Sequence, residues 1–437
     1  MKKGLLLLVL AMAAILAVGC ATPTPTTAPE ATEAPATEAP ATEAPAAAKE
    51  LKIVSSLPMT GSSLTQTQTM VNAMQLRLEQ ANGEACDGAV KLTYEAWDDA
   101  SAALGKWDPA VETENANKAA ADTSIVAYLG TFNSGAAALS IPILNQAGPL
   151  VMISPANTAP GLTHVAEGIS SPGEPEKYYP SGVRNYARLA ATDDLQGLVI
   201  AKLLVELGIK TMYIIDDQEL YGKGVADSVE IAATAAGVTI VGHEGFDTKA
   251  ADYKALMTKI STSNGGAAPD ALFVGSIIDN NGAQTLKDKV AIMGDNTKVK
   301  FIGPDGLFTA SLVEGAGADV AEGVYVTAPG LALKDLTDAG KVFYTDYEAK
   351  FGATKEPYAI LAYDTMGAAL KAINDVCAAG GDPSDRESVR AAVFALKDFD
   401  GALGTWSFNE NGDISLPFFV AAQVQGGKFV DAYTLTP

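Results

Sequence analysis

Apolar positions between residues 49 and 330 follow two rhythms. Short runs such as "LKIVSSL" (51–57), "KLTYEAW" (91–97), "SIVAYLG" (124–130) and "LVMISPAN" (150–157) have the length and composition of strands. Between the first two, a spacing of three and four takes over: "TMVNAMQLRLEQANG" (69–83) puts Met70, Met74 and Leu78 on one helical face and stops at Asn82-Gly83. A helix starting near Ala136 separates the third run from the fourth. The pattern resumes in "LQGLVIAKLLVELGIKTMYIIDD" (195–217), "VTIVGHEGF" (238–246), "ADYKALMTKI" (251–260), "DALFVGS" (270–276), "VKFIGPDG" (299–306) and "GVYVTAPG" (323–330). Strands alternating with helices predict an α/β fold of parallel sheets covered on both faces, and there are enough here for two sheets, each with its own core.

The first 48 residues follow neither rhythm. Lys2 and Lys3 precede an apolar run from Leu5 to Val18, then Gly19 and Cys20, the order of a secretory signal with a run short for a membrane span. The border resembles a bacterial lipobox, with Ala17 where leucine is usual, which implies that residues 1–20 hold a lipoprotein signal whose removal leaves Cys20 as the new, lipidated N-terminus. Residues 21–48 repeat ATEAP three times without change. Such proline spacing forbids helix and sheet ladders and makes a semi-rigid tether.

Roughly 390 residues then remain, suited to two lobes or domains. A formal charge of -22 with no Lys/Arg cluster excludes a nucleic-acid partner. No G-x-S-x-G, H-E-x-x-H or C-x-x-C occurs, and His164 and His243 are the two histidines, so no enzymatic activity, cofactor or metal is expected. His243, in "GHEGFD", reads as part of a strand end with solvated charges. Cys86 and Cys377 either form one disulfide or stay free.

In open α/β sheets ligands collect beyond the carboxyl ends of strands. Three loops there are rich in small polar groups. In "YLGTFNSGAAALS" Ser134 reads as the N-cap of an Ala-rich helix, whose free amides suit a carboxylate. In "VMISPANTAPGLT" two prolines frame Asn157 and Thr158, and "FIGPDGLF" places Asp305 in a turn. An acid facing a carboxylate site suits a zwitterion.

The order and spacing of "GTFNSGAA", "VMISPANTAPGLT", "DDQELYGKGVADS", "FIGPDGL", "AEGVYVTAPG" and "KDFDGALGTWSFNENGD" resemble a periplasmic type I solute-binding protein of the branched-chain amino acid (Leu/Ile/Val) ABC transporter family, over nearly everything after Lys49. The resemblance implies two lobes of mostly parallel sheet flanked by helices, residues 49–192 plus 330–415 and residues 193–329 plus 416–437, joined by a three-strand hinge. It implies that Ser134 binds the α-carboxylate, that the loop of Asn157 and Thr158 holds carboxylate and ammonium, and that Asp305 pairs with the ammonium. Tyr221 would close from the second lobe, and Phe132 and Asn133 would line the wall. Two pocket aromatics are missing: Ser276, Ile277 and Ile278 replace one, and Gln66, in the first loop, lies near the other. The implied protein is a lipid-anchored, extracytoplasmic, monomeric amino-acid binder that delivers its ligand to a permease with ATPase subunits. The alternative is a sensor lipoprotein for amides, urea or other small metabolites that feeds a signalling receptor.

Overall fold

The computed structural model describes residues 48–354 and 356–437, without the side chains of residues 431–433. The signal, Cys20 and all of the tether but Ala48 lie outside the described residues. No described helix is long and apolar enough to cross a membrane.

In chain order the first half runs β1 (Lys49–Leu57), α1 (Leu64–Gln80), β2 (Glu84–Ala85), β3 (Val90–Asp98), the small hairpin β4 (Ala100–Ser101) and β5 (Lys106–Trp107), α2 (Pro109–Ala121), β6 (Ile125–Gly130), α3 (Ser134–Asn145), β7 (Val151–Ser154) and β8 (Tyr186–Arg188). Next come α4 (Asp193–Glu206), β9 (Thr211–Asp216), α5 (Leu220–Ala235), β10 (Thr239–Gly245), α6 (Lys254–Ile260), β11 (Ala271–Gly275), α7 (Gly282–Met293), β12 (Lys300–Gly303), α8 (Ala310–Ala316), α9 (Ala318–Ala321) and β13 (Tyr325–Pro329). The chain ends with α10 (Asp338–Phe351), α11 (Ala359–Ala378), α12 (Arg386–Phe394), the hairpin β14 (Phe399–Gly401) and β15 (Gly404–Trp406), β16 (Phe419–Gln425) and β17 (Lys428–Leu435).

Two large sheets result. The first has the order β2-β3-β1-β6-β7-β8, all parallel except the β2 edge. The second has the order β10-β9-β11-β12-β13-β16-β17, parallel as far as β13 and antiparallel beyond. Period-two alternation fixes both faces of each. In β1, Leu51 and Ile53 enter the core under α1 and α11 while Val54 enters the core under α2 and α3. In β9, Tyr213 and Ile215 face one side while Met212 and Ile214 face α5 on the other. The chain leaves the first sheet after β8 and builds the second through β13. It then returns α10–α12 to the core of the first before re-entering the second at β16.

Local signals agree with these ends. Helix α1 stops where Asn82 (φ 56) and Gly83 (φ 63) take the left-handed conformation that Asn and Gly tolerate best. It starts at Leu64, so Gln66 belongs to the helix and not to the loop before it. Cys86 and Cys377 are joined by a disulfide, Cα–Cα 5.7 Å, which ties the turn after β2 to the end of α11.

Candidate functional site

The loops that follow β6, β7, β9, β11 and β12 meet at one cleft between the sheets. Asp305 opens a 3₁₀ turn straight after β12 and is 2 % exposed. Its carboxylate accepts a hydrogen bond from the Tyr221 hydroxyl at 2.8 Å and another from Tyr358, and Gly306 N–H donates to Tyr221 Oη at 2.9 Å. Tyr221 comes from the first turn of α5, and Tyr358 is the residue that precedes α11 and packs edge-on against Phe132, ring centroids 5.7 Å apart. Asp305 is therefore held from both halves of the molecule. From α1, Gln66 Nε2 donates to the Asp305 and Phe308 carbonyls at 3.2 and 3.3 Å.

A second acid stands behind the first. Asp193, at the start of α4, is fully buried, and neither carboxylate oxygen has a hydrogen-bond partner of ordinary geometry. Burial pushes its carboxyl well above the usual range, the Asp305 charge adds to that, and the Thr158 hydroxyl and Arg188 oppose it. Burial raises Asp305 too, against the Tyr358, Tyr221 and Gln196 hydrogen bonds. Arg188, the nearby buried cation, is already committed: its Nε donates to Asp413 at 2.7 Å and its Nη1 to the Ala159 carbonyl at 2.7 Å. Asn133 Oδ1 and Gln196 Oε1 are also buried without a partner. Buried polar atoms are nearly always satisfied, so this concentration marks a surface that expects donors.

The expected residues divide. Phe132, Asn133, Tyr221 and Asp305 line a void of about 10 Å³ together with Ala156, Ile277, Gly306 and Tyr358. That is room for a single water at most. Ser134 is buried beside it as the first residue of α3, and its Oγ accepts from Ala159 N–H at 3.4 Å. Asn133, not Ser134, occupies the N-cap position. Asn157 braces the loops: its Nδ2 donates to the Phe132 carbonyl at 2.9 Å, and its Oδ1 accepts from Tyr186 at 3.1 Å. Sequence reasoning took Asp193 for a crossing point only and missed Tyr358. The cue for Tyr358, an aromatic after Pro357 at a helix start, is weak by itself.

A larger cavity, about 660 Å³, lies on the flank, where Leu64, Tyr347 and Phe351 face Phe308, Val313 and Phe429. The small cleft is the better site, because the convergent unpaired polar groups are there.

A family model described as periplasmic binding protein matches residues 50–428. The Leu/Ile/Val-binding protein BraC3 of Rhizobium johnstonii is 27% identical over 378 residues, 86% of this chain and 92% of that protein. The substrate-binding protein LivJ from Streptococcus pneumoniae, solved in complex with isoleucine, aligns at TM-score 0.73 and 23% identity over 89% of this chain and 100% of its own. A solute-binding protein of an R. palustris ABC transporter, solved in complex with benzoate, aligns at TM-score 0.71 and 18% identity over 89% and 97%.

Proposed function

Since the chain belongs to the periplasmic binding protein family, we propose that it is the amino-acid-binding component of an ABC importer, that its two halves are hinged lobes, and that an aliphatic amino acid is its ligand. The observation that carries this reading is the buried pair Asp193 and Asp305, which has no unpaired cation beside it among the described residues. A ligand ammonium would supply the missing positive charge, and charge-assisted hydrogen bonds of this kind are the strong ones. The Ser134 hydroxyl and the α3 N-terminus suit the carboxylate. Phe132, Ile277 and Tyr358 offer an apolar wall for an aliphatic side chain. Relatives that carry Leu/Ile/Val in their names support the class, and the benzoate complex shows that this fold also serves ligands without an ammonium. In this reading Cys20 carries the lipid anchor, the tether spaces the body from the membrane, and the closed form is delivered to a permease.

The test is a titration of the chain, unfolded and refolded to remove carried-over ligand, with aliphatic amino acids, small amides, urea and benzoate. Amino acids are expected to bind, and Asp305→Ala to weaken them at least tenfold, the scale of a lost hydrogen bond to a charge. Undiminished affinity in that variant, or binding of benzoate alone, overturns the reading. For the anchor, incorporation of labelled fatty acid is expected in the parent and absent in Cys20→Ser.

A further inference from the structure

His243, on the edge strand β10, turns toward α5. Strand alternation separates it from its neighbour Glu244, which instead pairs with Lys259 at 2.7 Å and accepts from Tyr213 at 2.6 Å. His243 Nε2 lies 3.2 Å from the Asp216 carboxylate, whose side chain is 5 % exposed, and Nδ1 lies 2.5 Å from Glu230 Oε2. Asp227 is one helical turn before Glu230 on the same face of α5. One ligand atom from each of Asp227, Glu230 and His243 falls within a sphere where all lie less than 4.8 Å apart.

The two ring nitrogens have different tasks. A carboxylate beside each ring nitrogen calls for positive charge on both sides: a proton on Nε2 answers Asp216, and Nδ1 facing Glu230 takes a second proton or another cation. Two electron pairs that face each other at 2.5 Å need something positive between them. A second proton would serve, and so would a metal ion. A histidine whose other nitrogen donates to a buried carboxylate is the usual arrangement of a metal ligand. From these contacts we infer that Asp227, Glu230 and His243 form a zinc site, with Asp216 as the positioning residue behind the imidazole. Bonds of about 2.0–2.2 Å in tetrahedral geometry put ligand atoms roughly 3.3–3.6 Å apart, so a modest outward swing of the exposed Glu230 side chain admits the ion. Two carboxylates neutralise the ion, a neutral imidazole suits zinc among the common divalent metals, and the half-buried rim leaves the fourth position to water. Lys223 Nζ, 2.5 Å from Asp227 and exposed, holds a place that the ion would take over. The product is a clamp from an edge strand to its covering helix. It is independent of what the cleft binds.

The experiment uses the full chain carrying Cys20→Ser, so that no free thiol competes, freed of metal with a chelator and titrated with zinc chloride. One equivalent is expected to bind, at least tenfold more weakly in His243→Ala and in Glu230→Gln and unchanged in His164→Ala, whose ring is engaged by Asp194 and Asp413. X-ray absorption of the zinc-loaded parent should show one imidazole with oxygen ligands. That measurement stands even if His243→Ala fails to fold. No saturable binding, binding that either variant leaves intact, binding lost in His164→Ala, or an absorption shell without imidazole overturns the site.

Discussion

Glu112 is fully buried on α2, where it accepts hydrogen bonds from Ser56 at 2.5 Å, from Tyr128 at 2.8 Å and from Ser140. Burial outweighs those bonds and pushes its carboxyl up to about 7. An unfolded chain titrates such a group near 4.3. Between those values the folded protein keeps a proton that the unfolded chain has lost, so stability falls as pH rises, by up to about 1.4 kcal/mol per pH unit for this residue. Urea midpoints at pH 5, 6 and 7 should show a shallower decline in Glu112→Gln than in the parent. An equal slope would mean that Glu112 is ionised in the folded state. The same residue scale shows why the site was half legible. Phe132, Asn133, Tyr221 and Asp305 stand in loops or first turns after strands, where a parallel sheet tells one to look. Tyr358 lies 53 residues beyond its partner Asp305, and Asp193 has a bare carboxylate only because the folded chain buries it. Neither property has a local pattern in the sequence.

Elements were legible where periodicity was clean. The runs before residue 330 became β1, β3, β6, β7, β9, β10, β11, β12 and β13, yet β7 stops at Ser154 because its Oγ accepts from Ala156 and Asn157 N–H, which turns the chain early. Helix α11 escaped a periodicity reading because residues such as Ile360, Thr365, Ala368 and Ile373 bury nearly its whole circumference. Its end carries Cys377, and the bond to Cys86 closes a loop across 291 positions while both cysteines stay with the core of the first sheet. Converting both cysteines to serine should lower stability by about 2–5 kcal/mol, read as a shift of the urea midpoint at constant slope, and leave ligand affinity unchanged. A loss of affinity would show that the bridge supports the cleft as well as the lobe.

At the scale of the molecule, the proposed hinging makes opening and closing depend on what crosses the cleft. Apart from Tyr358 and Gln66, the strongest tie is Glu219, at the start of α5: Lys106 donates to its Oε1 at 2.5 Å and Trp107 Nε1 to its Oε2 at 2.9 Å, while Lys106 also reaches Asn280 at 2.6 Å. Ser63 N–H to Asp279 at 2.9 Å and Thr65 to Ser311 at 2.7 Å add lesser links. A ligand can shift the open–closed equilibrium only through its preference for the closed form, and ties within the protein bias that equilibrium before any ligand arrives. Glu219→Ala removes two of them without touching Asp193, Asp305 or the apolar wall. The ion pair is partly buried, side chains 20 % and 25 % exposed, so its loss should exceed that of a surface pair and reach about 1 kcal/mol. Small-angle scattering should therefore give a larger radius of gyration for the ligand-free variant and the parent's value once ligand is saturating. Affinity should fall about fivefold, since the ligand must then supply more of the closure itself. A variant with the parent's radius and affinity would place the closing force elsewhere, at Tyr358 and Asp305 themselves.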